Sequence, residues 1–258
     1  MKIVVLVKEV PDTYGDRKLS LETGLTDRAA SERVLDEIGE RALEVALKHA
    51  DADPGTEVQV ISMAPADAAA TIRKGLAMGA ASALQVVDDA LVGADLGVTA
   101  AVLAAAVQRV GFDLVISGNL STDGSGGVLP AMIAEHLDVP HATALSDVTI
   151  TASEITGTRA TDAGAAQVTA PLPAVISITE ALPDARFPNF KGIMAAKKKP
   201  FETVSLADLR VDVDPASAPQ SILVAVSEKP PRGAGVKIVD EGDAGERLAA
   251  YLIENRLA

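Results

Sequence analysis

Apolar residues in the first half of the chain alternate between two textures. Short runs rich in β-branched residues occupy positions 3–7, 58–62, 84–87 and 114–117, each bounded by turn residues. Runs that are apolar on both faces of an extended chain predict buried parallel strands. Between them, residues 30–49, 65–78, 95–110 and 127–137 carry apolar side chains at helical spacing. Strand, helix and strand in regular succession predict right-handed crossovers and a doubly wound, mostly parallel α/β sheet, with the order of the strands left open. Gly79, after Leu76-Ala77-Met78, is read as a left-handed helix stop, and Asp138 to Pro140 ends the last of these helices.

Beyond Pro140 the texture changes to Thr-rich alternation at 143–150, 154–159, 165–168 and 174–178, which predicts an antiparallel extension or the last strands of the sheet. Residues 183–200 have no strong period but carry Pro183, Pro188, Pro200, Phe187, Phe190 and the run Lys197-Lys198-Lys199. An exposed loop with apolar residues points to interaction. From Asp212 the chain runs through Pro215, Pro219, Pro230 and Pro231 into residues 246–257, where Leu248, Leu252, Ile253 and Leu257 can share one helical face. Such a helix needs a surface to lie on, its own subunit's or a partner's. The expected division is an α/β nucleotide-binding domain over 1–220 and a C-terminal arm over 221–258.

Composition narrows the function. At 258 residues and 48% hydrophobic, the chain can build one large α/β domain with an appendage. It has no cysteine, so disulfides and thiolate metal sites are excluded. Aromatics are only 2% and the net charge is −13, which argues against base stacking and against a nucleic-acid partner. The opening run has five apolar residues before Lys8, too few for a secretory or membrane segment, and the expectation is a cytoplasmic protein without membrane insertion. His49, His136 and His141 have no metal-like pairing, and no serine sits in a nucleophile elbow.

The strongest local signal is Ile116-Ser117-Gly118-Asn119-Leu120-Ser121-Thr122-Asp123-Gly124-Ser125-Gly126-Gly127-Val128-Leu129-Pro130. Here a strand passes through a Gly, Ser, Thr and Asp loop into a helix. Glycines let the backbone approach a phosphate, and a helix N-terminus adds free N–H groups and partial positive charge. The alternative is a flexible connection; placement at the carboxyl end of a parallel strand favours the cradle. Lys8-Glu9 ends the first strand on the same side, either as a solvated pair or as part of the site. Asp36-Glu37-Ile38-Gly39-Glu40 reads as a helix start whose acids are explained by capping. The lysine run is a solvated face or a means of steering an acidic partner.

Several segments together resemble the β subunits of electron-transfer flavoproteins. They are Val7-Lys8-Glu9-Val10-Pro11-Asp12, the 36–40 turn, Thr71-Ile72-Arg73-Lys74-Gly75-Leu76-Ala77-Met78-Gly79-Ala80, the glycine loop, Leu172-Pro173-Ala174-Val175, Gly192-Ile193-Met194-Ala195-Ala196-Lys197-Lys198-Lys199, and Pro230-Pro231-Arg232-Gly233-Ala234-Gly235-Val236-Lys237. Their order and spacing span nearly the whole chain. The resemblance implies a Rossmann-like fold of the adenine nucleotide α-hydrolase type, and pairing with an α subunit that supplies most contacts to one FAD. It further implies transfer of electrons from primary dehydrogenases, such as the acyl-CoA dehydrogenases of fatty acid oxidation, to a quinone oxidoreductase. The subunit would be a carrier rather than an enzyme, with a structural AMP against Leu6, Asp36, Glu37, Ile38, Gly39, Met63 and residues Gly118 to Leu129. The family's partner-recognition loop corresponds to 183–199, with Phe190, Ile193, Met194 and Lys197 as contacts. Phe190 stands where a leucine is common, and Lys191 where a proline follows it. Relatives that hold a second FAD read Asp-Gly-Asp-Thr-Ala-Gln-Val in the loop, whereas this chain reads Asp123-Gly124-Ser125-Gly126-Gly127-Val128, which favours AMP. The competing expectations are an ATP-binding or nucleotide-hydrolysing protein of the same fold acting alone, and a partner-binding scaffold with an empty cleft.

Overall fold

The computed structural model describes residues 1–15, 17–212, 221, 223–235, 237 and 239–257. The expected boundary at 220, together with Pro215, Pro219 and Val236, lies outside the described residues. Eleven strands are described: β1 Lys2–Leu6, β2 Glu9–Pro11, β3 Arg33–Leu35, β4 Glu57–Met63, β5 Ser82–Val86, β6 Leu114–Gly118, β7 His141–Ile150, β8 Glu154–Thr161, β9 Gly164–Pro171, β10 Ala174–Ile178 and β11 Phe201–Val204. The α-helices are α1 Glu37–Ala52, α2 Ala69–Met78, α3 Leu96–Val110, α4 Leu129–Leu137, α5 Phe190–Ala196, α6 Leu206–Leu209 and α7 Ala244–Glu254.

Nine strands form one sheet in the order β11-β5-β4-β1-β6-β10-β7-β8-β9. The seven from β11 to β7 run parallel, and β8 and β9 continue the sheet antiparallel. The Thr-rich region therefore supplies both things expected of it: β7 and β10 are parallel members, and β8 and β9 the extension. Alternate residues of β1 feed two cores. Ile3 and Val5 pack with Leu43 and Leu47 of α1 and with Ile72 and Leu76 of α2. Val4 and Leu6 pack with Val98, Val102 and Val107 of α3 and with Ile133 of α4. Helices on both faces explain why the central strands lack polar alternation.

Helix α1 buries Gly39, Ala42, Leu43, Ala46 and Leu47, an i, i+3, i+4, i+7, i+8 stripe. It begins at Glu37, not near residue 30 as the pattern predicts, because residues 33–35 pair with β2 in a two-stranded antiparallel ribbon. Helix α2 stops at Gly79, as expected, although φ +149° and ψ −16° lie outside the left-handed helical well. Asp138 does adopt that well, at φ +52° and ψ +49°, and caps α4. Helix α4 starts at Leu129 rather than 127, since Gly127 has φ +69°, which cannot continue into a helix.

From β1 the chain builds outward through β4 and β5, then crosses to β6 on the other side of β1. Connections leave β1 and β6 in opposite directions, so a crevice opens at their carboxyl ends, where open α/β sheets receive ligands. Residues 225–258 form a separate compact unit. Its helix α7 ends at Glu254, so Leu257 falls beyond the predicted face; Leu248, Tyr251 and Ile253 are exposed on that unit. No helix among the described residues is long and apolar enough to cross a membrane.

Candidate functional site

At the crevice, β6 delivers the glycine loop beside the end of β1. The loop is tied down from three sides. The Thr122 N–H donates to Asp36 Oδ2 at 2.9 Å, Lys8 Nζ reaches Asp123 Oδ1 at 2.7 Å, and Arg17 donates to the carbonyl and hydroxyl oxygens of Thr122. Arg28 stands 3.9 Å from the other Asp123 oxygen. Lys8 is therefore part of the site, and Glu9 is not its partner: Glu9 is buried, 3.3 Å from Arg33. Burial pushes the Asp123 carboxyl up, but Lys8, the Ser121 hydroxyl and the Gly124 N–H outweigh it and hold it below the usual carboxylate range.

Capping alone does not account for Asp36. It is 2% exposed, makes no side-chain cap bond to α1, and spends one oxygen on the glycine loop. Burial raises its carboxyl above the ordinary range, opposed by the N–H groups of Thr122 and, at the start of α1, of Ile38. Its Oδ1 has no hydrogen-bond partner, nor has the buried hydroxyl of Ser117 on β6. By strand alternation Ser117 shares the face of Val115, the same core face as Leu6 and Met63.

Past Asp123 the backbone opens. The Ser125 N–H closes a turn on the Ser121 carbonyl at 3.0 Å, and Met132 N–H is the first to bond within the turn of α4, at 3.1 Å to Val128. The N–H groups of Gly126, Gly127, Val128 and Leu129 donate to no acceptor among the described residues. Four amides without an acceptor thus lead into a nine-residue helix, an arrangement whose N–H groups and partial positive charge can take up an anion. The described residues contain no cluster of three or more His, Asp or Glu side chains placed to hold a metal ion.

The predicted residues do not all converge. Gly39 is buried, and a Cβ there would lie 3.6 Å from the Val7 Cα, so it serves helix–strand packing. Glu37 points to solvent in the first turn of α1. Leu6, Ile38, Met63 and Gly118 to Leu129 lie around the carboxyl ends of β1, β4 and β6. Arg17 and Arg28 have no local sequence signal, because their contacts to the loop span about a hundred residues.

The segment 183–199 is not a plain loop. The Asn189 side chain accepts from the Gly192 N–H at 2.8 Å and starts α5. Gly192 packs so closely that a Cβ would lie 2.3 Å from the Ala77 carbonyl oxygen, and Ala196, one turn on, is also buried. With that face on α2, Phe190, Ile193, Met194 and Lys197 form an i, i+3, i+4, i+7 stripe that is 79%, 46% and 47% exposed at its three apolar members. Phe187, just before the cap, is 91% exposed. The lysine run is only partly solvated: Lys199 Nζ donates to the carbonyls of Leu76, Gly79 and Ala80 at 2.9, 3.2 and 2.6 Å, capping the end of α2.

Comparison with known proteins places this arrangement among relatives. A family model described as electron transfer flavoprotein domain matches residues 23–209. The chain is 45% identical over 263 residues to the electron transfer flavoprotein subunit beta of Mycobacterium leprae, covering 99% of this chain and 98% of that one. It is 32% identical over 253 residues to the protein of the same name from Syntrophomonas wolfei, covering 98% and 96%. It is also 35% identical over 201 residues to the caffeyl-CoA reductase-Etf complex subunit CarD of Acetobacterium woodii, covering 78% and 76%.

Proposed function

The chain belongs to the electron transfer flavoprotein family, and from that premise we propose that it pairs with an α subunit, shares one FAD with it, and binds AMP in the β1–β6 crevice. The heterodimer takes electrons from primary dehydrogenases, acyl-CoA dehydrogenases among them, and passes them to a quinone oxidoreductase. The bound flavin supplies the redox chemistry, and the protein supplies orientation and electrostatics. In this reading the chain converts no substrate of its own and works in the cytoplasm. Residues 1–220 are the nucleotide-binding domain and 221–258 an arm that packs on α.

The row of unpartnered amides from Gly126 to Leu129, in the loop that follows the strand of the orphaned Ser117 hydroxyl, carries the nucleotide reading. Those amides would hold the phosphate, while Leu6, Met63 and the 36–39 turn would line the remainder. One short helix start offers room for a single phosphate, which suits AMP better than a dinucleotide. Phe190, Ile193, Met194 and Lys197 of α5 would contact the dehydrogenases, with Lys191, Lys197 and Lys198 favouring acidic surroundings in an otherwise acidic chain. Co-expression with the α subunit, denaturation of the purified heterodimer and chromatography of the released nucleotides test the reading: AMP should be released by the native protein and largely missing from Gly127→Val.

A further inference from the structure

The docking element has almost no core of its own, since Ala196 is the single buried residue of α5. What orders it is a pair of clamps. At its rear, Lys199 caps α2 and Arg73 Nη1 donates to the Ala196 carbonyl at 3.2 Å. At its front, Glu44 projects from α1 and is 5% exposed. Glu44 Oε2 accepts from both the backbone N–H and the Nε of Arg186, at 3.1 and 2.7 Å, and Oε1 accepts from Nη2 at 3.1 Å. Asp51 takes a further bond from the same Nη2 at 2.8 Å, and Arg41 holds the Leu182 carbonyl and the Asp184 carboxylate.

We infer that Glu44 and Arg186 are a positioning pair for partner docking: they fix the backbone directly ahead of Phe187 and Phe190 so that the exposed stripe is presented already ordered. The inference rests on reading 183–199 as the docking element. For α1 alone a buried carboxylate is a poor choice, because an apolar side chain would fill the place without desolvating a charge. Its use becomes clear from the partner it holds. The bonds capture main chain and guanidinium together, which sets the position and direction of residue 186, and Pro188 and the Asn189 cap carry that setting into α5. A surface ordered before encounter avoids the entropy cost of ordering it on binding.

The test uses the purified heterodimer with one acyl-CoA dehydrogenase as electron donor, over a range of carrier concentrations, and follows amide exchange across 183–199. Glu44→Gln and Arg186→Met should each raise the KM for the carrier about tenfold, as loss of preorganisation requires, with kcat within about twofold and flavin and nucleotide content unchanged. Exchange across 183–196 should quicken in both. Arg186→Lys, which keeps the charge but loses the two-pronged contact, should fall between wild type and Arg186→Met, and it decides the question should Arg186→Met fail to assemble. Faster exchange with an unchanged KM, while Phe190→Ala raises KM, would overturn the positioning role and leave the docking reading intact. An unchanged KM in Phe190→Ala and also in a double variant Ile193→Ala, Met194→Ala would overturn the docking reading itself.

Discussion

Phe190→Ala separates a docking residue from a core residue, because the two roles differ in magnitude. A fully buried phenylalanine removes about 200 Å² from water. Phe190 is 79% exposed, so only about 40 Å² is covered within the chain, worth about 1 kcal/mol at ~25 cal/mol/Å². Alanine is also the better helix former, by about 0.5 kcal/mol, which offsets part of that loss. Folding stability should therefore fall by less than about 1 kcal/mol. The remaining ~160 Å² is available to a partner pocket, and truncating an aromatic anchor of this kind costs about 2 kcal/mol or more. That corresponds to a rise of about 30-fold in the apparent KM for the carrier. The assay is dehydrogenase-driven reduction of the heterodimer at subsaturating carrier, with thermal melting and flavin content measured on the same preparation. A lowered melting temperature with unaltered kinetics would refute the reasoning and move the contact to Ile193 and Met194.

Three further outcomes follow from the geometry. Gly127→Val forces a β-branched residue to φ +69°, at a cost of about 1–3 kcal/mol in the loop, and should cut bound AMP to a small fraction of wild type; full AMP content would remove the phosphate from this loop. Lys8→Met leaves Arg28, at 3.9 Å, as the cation paired with the Asp123 carboxylate and should destabilise the chain by about 1–2 kcal/mol, between an exposed and a buried pair, with denaturant unfolding as the readout. Asp123 and Glu44 both have lowered pKa values in the fold, so their stabilisation is complete above the ordinary carboxylate range and is lost as pH falls through the folded values. Asp123→Asn and Glu44→Gln should each flatten the acid limb of the stability profile; an unchanged limb would contradict those pairings.

The parallel sheet and its two helix layers are legible because each central strand is apolar on both faces and each helix carries a 3.6-residue stripe. The glycine loop is legible for the same local reason, as a run of turn residues between a strand and a helix. The ties that hold it are not. Lys8, Arg17, Arg28 and Asp36 reach Thr122 and Asp123 across 86 to 115 positions; the end of the first strand and the start of a helix draw attention to Lys8 and Asp36, but nothing in the neighbouring sequence marks Arg17 or Arg28. Asp36 misleads for a further reason: a carboxylate before a helix reads as a cap, and here its hydrogen bond at 2.9 Å goes to the glycine loop. Helix α5 escapes a periodicity search because its inner face is Gly192 and Ala196, small residues that register as gaps, while its apolar residues face outward. The ribbon of β2 and β3 is too short to show alternation, so residues 30–36 read as helix.

The most direct test of the central claim is a count of cofactors in the native heterodimer. After co-expression with the α subunit, denaturation and chromatographic separation, the account predicts one FAD and one AMP per heterodimer. Release of two FAD molecules, or of FAD with no adenine mononucleotide, would contradict it.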